Sequence, residues 1–200
     1  MTDLLLRTFL SFLALAAAAA SFQNIAFVKG FGLSNIIRFP KEHTDIAQMG
    51  ILLFFATEIA ALLDFLADYY IFHGTVPDPF RGVATAVYAI AAYYILYLLI
   101  KLMLLQRDFE KAAGLLPSVC FSYAVLGTLN IIDVSGYTLV QSLGYGAGSA
   151  IGYIIALILT VEGYKKVSSE AVPRIFRGMP ALLLYLSGLM LAILGLSQNI

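Results

Sequence analysis

The chain of 200 residues has one cysteine, no tryptophan and two histidines, and charged residues make up only 12% of it. Each shortage excludes something. A soluble globular domain is charged at roughly a quarter of its residues, about twice the share found here, so a water-soluble globule is excluded. The lone Cys120 rules out an internal disulfide and any site built from several thiolates of this chain alone. His43 and His73 fall in connections expected on opposite sides of a membrane, so they share no metal. Twelve Lys and Arg balance twelve Asp and Glu, and a net charge of zero leaves no basis for nucleic acid or an acidic substrate. The sequence holds no glycine-rich phosphate cradle and no nucleophile beside a base. Without tryptophan, the interface belt falls to residues such as Tyr69, Tyr70 and Phe72.

The chain instead has long apolar runs. Hydrophobic residues form 61% of it, and the mean hydropathy is +0.91. The expected fold class is an all-α integral membrane protein, a single membrane domain over 1–200. Six transmembrane helices are expected at about 4–28, 46–70, 80–105, 112–132, 138–161 and 176–196, each near the twenty residues that cross a bilayer. The alanine-rich run at 11–22 is expected to belong to the first span rather than to a cleaved leader, because Asp3 precedes the single Arg7 and the apolar stretch continues past the alanines.

The segment VPRIFRG at 172–178 nearly repeats VPDPFRG at 76–82, with five of seven residues shared. In both places about twenty apolar residues follow, so each copy reads as the entrance to a membrane helix. Proline suits a first helical turn. Arg81 and Arg177 are expected to keep their guanidinium in the headgroup layer while Phe80 and Phe176 enter the apolar side. Gly82 and Gly178 are expected to admit a neighbouring backbone. The chain thus divides into two related halves, repeat one about 1–105 and repeat two about 106–200, each of three spans.

An odd number of spans per half means that the second half is inserted upside down. Basic residues supply the orientation. Arg38, Lys41, Lys101, Arg107, Lys111, Lys165, Lys166, Arg174 and Arg177 fall on one side and Arg7 and Arg81 on the other, nine against two. Both termini are then expected outside the cytoplasm, and the repeats are related by a pseudo-two-fold axis in the membrane plane.

The first helix of each half is expected to be broken. Beyond Val28 the apolar character continues through Phe31, Leu33, Ile36 and Ile37, with Gly30 and Gly32 in the excess, so a break is expected at GFGLSN. Such a break is tolerated only where protein or a water-filled cavity covers the freed backbone groups. The fourth span carries Pro117 near its start and Gly127, Thr128 and Asn130 after its middle. In the fifth span Gly144, Gly148 and Gly152 recur every four residues on one face, a notch for helix packing, within the chain or between copies.

Three charged residues stand out as candidates for an ion or proton path. Glu58 lies ten residues after Gln48, about 15 Å into its span and near the centre of the bilayer. A carboxylate there costs about 3 kcal/mol on insertion scales, so it needs a partner or a proton. It reads either as a relay for an ion or proton or as a group that only fixes packing. Asp64 and Asp68 sit one turn apart on another face of the same helix, about 80 to 120° away. Lys29 adjoins Gly30, placed to pair with Glu58 or with freed carbonyls, or to extend to the cytoplasmic surface.

Several segments carry a family resemblance. They are MTDLLL at the start, FQNIAFVKGFGLSN at 22–35, Met49-Gly50, Leu116-Pro117 followed by AVLG at 124–127, QSLGYGAGSAIG at 141–152, and VPRIFRG with SGLM at 187–190. In this order and spacing the chain resembles the paired six-helix membrane subunits of the Rnf and Nqr redox-driven ion pumps, most closely the RnfA/NqrE branch. The resemblance runs nearly end to end.

It implies six inverted-repeat helices with both termini outside the cytoplasm, in a bacterial cytoplasmic (inner) membrane. The partner it implies is a second, RnfE/NqrD-like six-helix subunit, with other redox subunits and lipid around the pair. In that family each partner supplies two cysteines, one from each broken helix, to an iron–sulfur cluster held between them. Their places here are Ser34 and Tyr123. Cys120, three residues earlier and expected on roughly the same face, supplies at most one of the four ligands such a cluster takes. The family's glutamate late in the third span is replaced near Leu98. No cofactor is therefore expected in this chain by itself, and a cluster shared with the partner is left open. The broken-helix midplane site comprises Gly30, Gly32, Ser34, Cys120, Tyr123 and Gly127. The function expected is a non-catalytic membrane subunit of an Rnf/Nqr-type ion-translocating electron-transport complex. The alternatives are a small cation-coupled transporter on the same scaffold and a non-redox scaffold subunit.

Overall fold

A computed structural model describes residues 2–42, 46–71, 80–103, 106–170 and 172–197. The described residues are mostly helical, with no strand among them. The elements are α1 (Thr2–Ala20), α2 (Leu33–Glu42), α3 (Ile46–Tyr70), α4 (Arg81–Met103), α5 (Gln106–Cys120), α6 (Tyr123–Ser135), α7 (Leu139–Val167) and α8 (Met179–Ser197). Four of them, α3, α4, α7 and α8, are long and apolar enough to cross a membrane, and a fifth crossing results if the bent pair α5 and α6 is one span. His43, His73, Phe72 and the first copy of the repeat up to 79 lie outside the described residues.

The helix α7 is central. Two thirds of its most apolar window is buried in the chain, against 11% for α8, which lies at the edge. Gly144, Gly148 and Gly152 explain why α7 packs so closely. A β-carbon on Gly144 would meet the backbone of Phe12, and one on Gly148 would meet the backbone of Ala16. At Gly152 it would meet Ala19, Ala20 and the Asn24 amide. The notch therefore serves packing within the chain, taking the alanine-rich face of α1 in a parallel arrangement.

Both expected helix breaks occur, each displaced from its expected place. The first helix ends at Ala20 rather than near Val28, and residues 21–32 form turns before α2. Gly30 and Gly32 lie at the end of this segment with φ of 73° and 78°, a conformation that glycine adopts without a Cβ penalty. In the fourth span, Gly127, Thr128 and Asn130 do not interrupt the helix. The chain breaks at Phe121 and Ser122, where α5 and α6 meet at 47°. Ser122 decides the position: its hydroxyl accepts from the Val125 amide, an N-cap that starts α6. Pro117 is accommodated inside α5. At Gly127 the Phe31 ring occupies the space a β-carbon would need.

The two copies of the repeat also differ from expectation. Arg81 opens α4 directly, whereas residues 172–178 form turns and α8 begins only at Met179. Gly82 and Gly178 admit no neighbour among the described residues, since nothing lies within 4 Å of a β-carbon at either. Gly178 is instead used for its φ of 86°. Arg177 donates to the carbonyls of Glu170 and Val172, closing its own turn. Arg81 turns inward, with Nε 3.4 Å from Asp133 Oδ2 at the end of α6.

Candidate functional site

The two breaks pack against one another. Phe31 of the first covers Gly127 of α6, and Gly32 lies against Ala124 of α6 and Tyr153 of α7. The Tyr153 hydroxyl donates to the Gly32 carbonyl at 3.1 Å, and Asn35 Nδ2 donates to the Ser118 carbonyl at 3.0 Å. The freed backbone groups of each break are thus covered by protein, which is the condition for irregular backbone at membrane depth.

Asn24 anchors this arrangement, and its role was not read from the sequence. Its side-chain oxygen accepts from the amides of Ala26 and Phe27, and its nitrogen donates to the carbonyls of Ala20 and Gly152. One buried side chain therefore ends α1, shapes the turn and ties it to α7. A polar residue immediately after an apolar helix was the available signal.

Of the midplane candidates, Gly30 and Gly32 shape the first break and Gly127 faces it. Ser34 and Tyr123 stand at the first turns of α2 and α6, both exposed. Cys120 does not share a face with Tyr123: it is fully buried, whereas Tyr123 is 68% exposed. The 47° break between them separates their directions.

Glu58 is the central residue of α3. Its Oε1 atom is buried against Gly146 of α7 and accepts no hydrogen bond from the described residues. Lys29 does not reach it. That residue is exposed, and none of the ion pairs among the described residues involves it. Asp64, on the other face as expected, is buried and interacts with Asp68 on α3 and Asp133 on α6. Arg81 faces this acidic group through Asp133. Among the described residues, no three His, Cys, Asp or Glu side chains are grouped to hold a metal.

No protein-family model matches the chain. Individual relatives do. It is 26% identical over 184 residues to the A subunit of the ion-translocating oxidoreductase complex of Aromatoleum aromaticum, covering 92% of this chain and 94% of that one. It is 27% identical over 187 residues to the protein of the same name from an Azoarcus species, covering 92% and 94%. The A subunit of the Na(+)-translocating ferredoxin:NAD(+) oxidoreductase complex of Acetobacterium woodii is 23% identical over 176 residues, covering 88% and 91%. Along about nine tenths of its length the chain is similar to RnfA-type subunits.

The helix breaks of this RnfA-like chain fall within the matched length, and so do the notched helix α7 and Glu58. Helices of membrane-spanning length fit the multi-pass character expected of such a protein. The two positions that the resemblance assigns to cluster cysteines, Ser34 and Tyr123, are surface positions at adjoining breaks, open to another subunit.

Proposed function

We propose that the chain is a non-catalytic integral membrane subunit of an Rnf/Nqr-type ion-translocating redox complex, paired with an RnfE/NqrD-like six-helix subunit. It crosses a bacterial inner membrane six times as two inverted three-helix halves, with α1 and α2 as one broken span and α5 and α6 as the other. Both termini lie outside the cytoplasm.

Three contacts support this alternation of directions. The parallel packing of α1 on α7 suits a first and fifth span running the same way. Gly50 of α3 meets Ile154 of α7 while Glu58 meets Gly146, an antiparallel pairing that suits a second and fifth span. The Arg81–Asp133 pair joins the start of the third span to the end of the fourth, which alternation puts on one side.

The observation that carries the reading is the contact between the two breaks, with Ser34 and Tyr123 exposed beside it. The places that the resemblance gives to cluster cysteines hold Ser34 and Tyr123, and Cys120 is enclosed, a donor set that speaks against a thiolate-held cluster on this chain. In this reading the chain is a structural half and ion path, and it supplies no ligand to a cluster. Anaerobic purification in mild detergent, with iron determination, visible absorption and mass spectrometry of associated proteins, tests it. The expected result is a preparation that holds redox subunits and a second six-helix protein, with no iron held by this chain alone. Iron retained by the isolated chain, or a chain that never associates with redox subunits, overturns the reading.

A further inference from the structure

The two copies of the repeated segment differ at only two of their seven positions. VPDPFRG at 76–82 has Asp78 and Pro79 where VPRIFRG at 172–178 has Arg174 and Ile175. The second copy presents both of these residues at its surface. Arg174 is exposed, Ile175 is 85% exposed and the neighbouring Phe176 is 54% exposed. The loop that carries them is held in shape by its own bonds. The Gly178 amide donates to the Val167 carbonyl, the Phe176 and Arg177 amides to Pro173, and the Val172 amide to Ser169. Arg177 adds its donations to Glu170 and Val172. The side chains of Arg174 and Ile175 take no part in this framework, so they are displayed by the fold rather than used to build it.

Depth and charge say what meets them. The 19 residues of α8 span about 28 Å, close to the ~30 Å hydrocarbon core, so Met179 stands at the edge of that core and the loop before it in the headgroup layer. Only 11% of the apolar window of α8 is buried in the chain, so the loop at its head borders lipid. Lys165 and Lys166, in the last turn of α7, are exposed as well. Lys165 pairs with Glu162, whereas Lys166 and Arg174 have no ion pair among the described residues.

We propose that the 172–178 loop is a binding site for an anionic phospholipid, with the Arg174 guanidinium on its phosphate and Ile175 and Phe176 among its acyl chains. A guanidinium offers a phosphate two parallel N–H donors. Lys165 and Lys166 add positive potential at the same surface. A free phosphate or an acidic protein segment matches the charge and leaves Ile175 and Phe176 uncovered, which favours the lipid. The inference rests on the membrane-spanning helices and is independent of the redox partners.

Native mass spectrometry of the full-length chain in mild detergent tests it, by titration with phosphatidylglycerol or with phosphatidylethanolamine of the same acyl chains. The unaltered chain is expected to retain phosphatidylglycerol about fivefold better, the factor that one basic residue adds at an anionic surface. Arg174→Asp, the residue type of the first copy, removes this preference. Ile175→Ser weakens retention of both lipids and keeps their order. Arg7→Gln, at the opposite end of the bundle, leaves the preference intact.

A second readout is thermal. Without added lipid both loop variants melt as the unaltered chain does, because neither side chain holds the loop together. The extra rise in melting temperature that phosphatidylglycerol gives over phosphatidylethanolamine is lost in Arg174→Asp. Equal retention of the two lipids by the unaltered chain overturns the site, as does a preference that survives Arg174→Asp. An equal rise with inorganic phosphate marks a free-anion site and overturns it too. Maleimide labelling of Ile175→Cys in a Cys120→Ala background gives the last check. Blocking by a co-purifying subunit and not by phosphatidylglycerol marks a protein contact and overturns the lipid site.

Discussion

Asn24 Nδ2 lies 2.9 Å from the carbonyl oxygen of Gly152, a buried bond between residues 128 positions apart. It fixes the end of α1 beside Gly152, which has no side chain to hold the helices apart. The broken helix and the glycine notch are therefore one structural unit.

Replacing Asn24 by alanine leaves the Ala26 and Phe27 amides without their acceptor. At about 1 to 3 kcal/mol for each of the two buried groups left unsatisfied, a loss of roughly 2 to 6 kcal/mol is expected. Asn24→Asp keeps the acceptor and loses the donations to the Ala20 and Gly152 carbonyls, so it falls between. Thermal unfolding in detergent, followed by far-ultraviolet circular dichroism because the chain has no tryptophan, checks the order.

Gly148→Ala forces α1 away from α7, since the added carbon meets the Ala16 backbone. Overpacking of this kind costs about 1 to 3 kcal/mol. Gly188→Ala is the control, because nothing among the described residues lies within 4 Å of a β-carbon there. It is expected to be neutral, or stabilising by up to about 1 kcal/mol through helix propensity. Equal effects at the two positions would show that the notch is not where the helices meet.

The repeated arginine makes an internal comparison. Arg81 meets Asp133, whose side chain is 2% exposed, whereas Arg177 only closes a turn near the surface. Arg81→Gln leaves a buried carboxylate without its counter-charge, which costs about 3 to 5 kcal/mol in comparable buried pairs. Arg177→Gln is expected to cost about 1 kcal/mol. Melting temperatures of the two variants, and of Arg81→Gln combined with Asp133→Asn, read this out, with the double variant recovering part of the loss.

Thiol labelling separates the two sides of the second break. Cys120, fully buried, is expected to resist maleimide in the folded chain and to react after denaturation. Tyr123→Cys in a Cys120→Ala background is expected to react readily, and to become protected when a second subunit covers that face. Rapid labelling of Cys120 in the native chain would contradict the enclosed position.

Much of this was legible in the residues. Composition determined a helical membrane protein, because long apolar runs with few charges have one stable solution in a bilayer. The run at 46–70 coincides with α3, and the four-residue glycine spacing announced a close helix contact. Local chemistry also announced two broken helices, but not where they break. Ser122 and Asn24 decide that through hydrogen bonds to backbone groups, and the more visible glycine, Gly127, turned out to make room for Phe31.

The sequence by itself determined that the chain is helical and lives in a membrane, that two of its helices carry breaks, and that Glu58 lies at the middle of a long apolar helix. These follow from hydropathy and helical period, which are properties of neighbours along the chain. Only the tertiary structure decided what faces what. Cys120 is turned in and Tyr123 out, Arg81 meets Asp133, and Glu58 rests on Gly146 rather than Lys29. Such pairings depend on how residues far apart in sequence share space between helices, and a bend of 47° or a missing side chain is enough to redirect them.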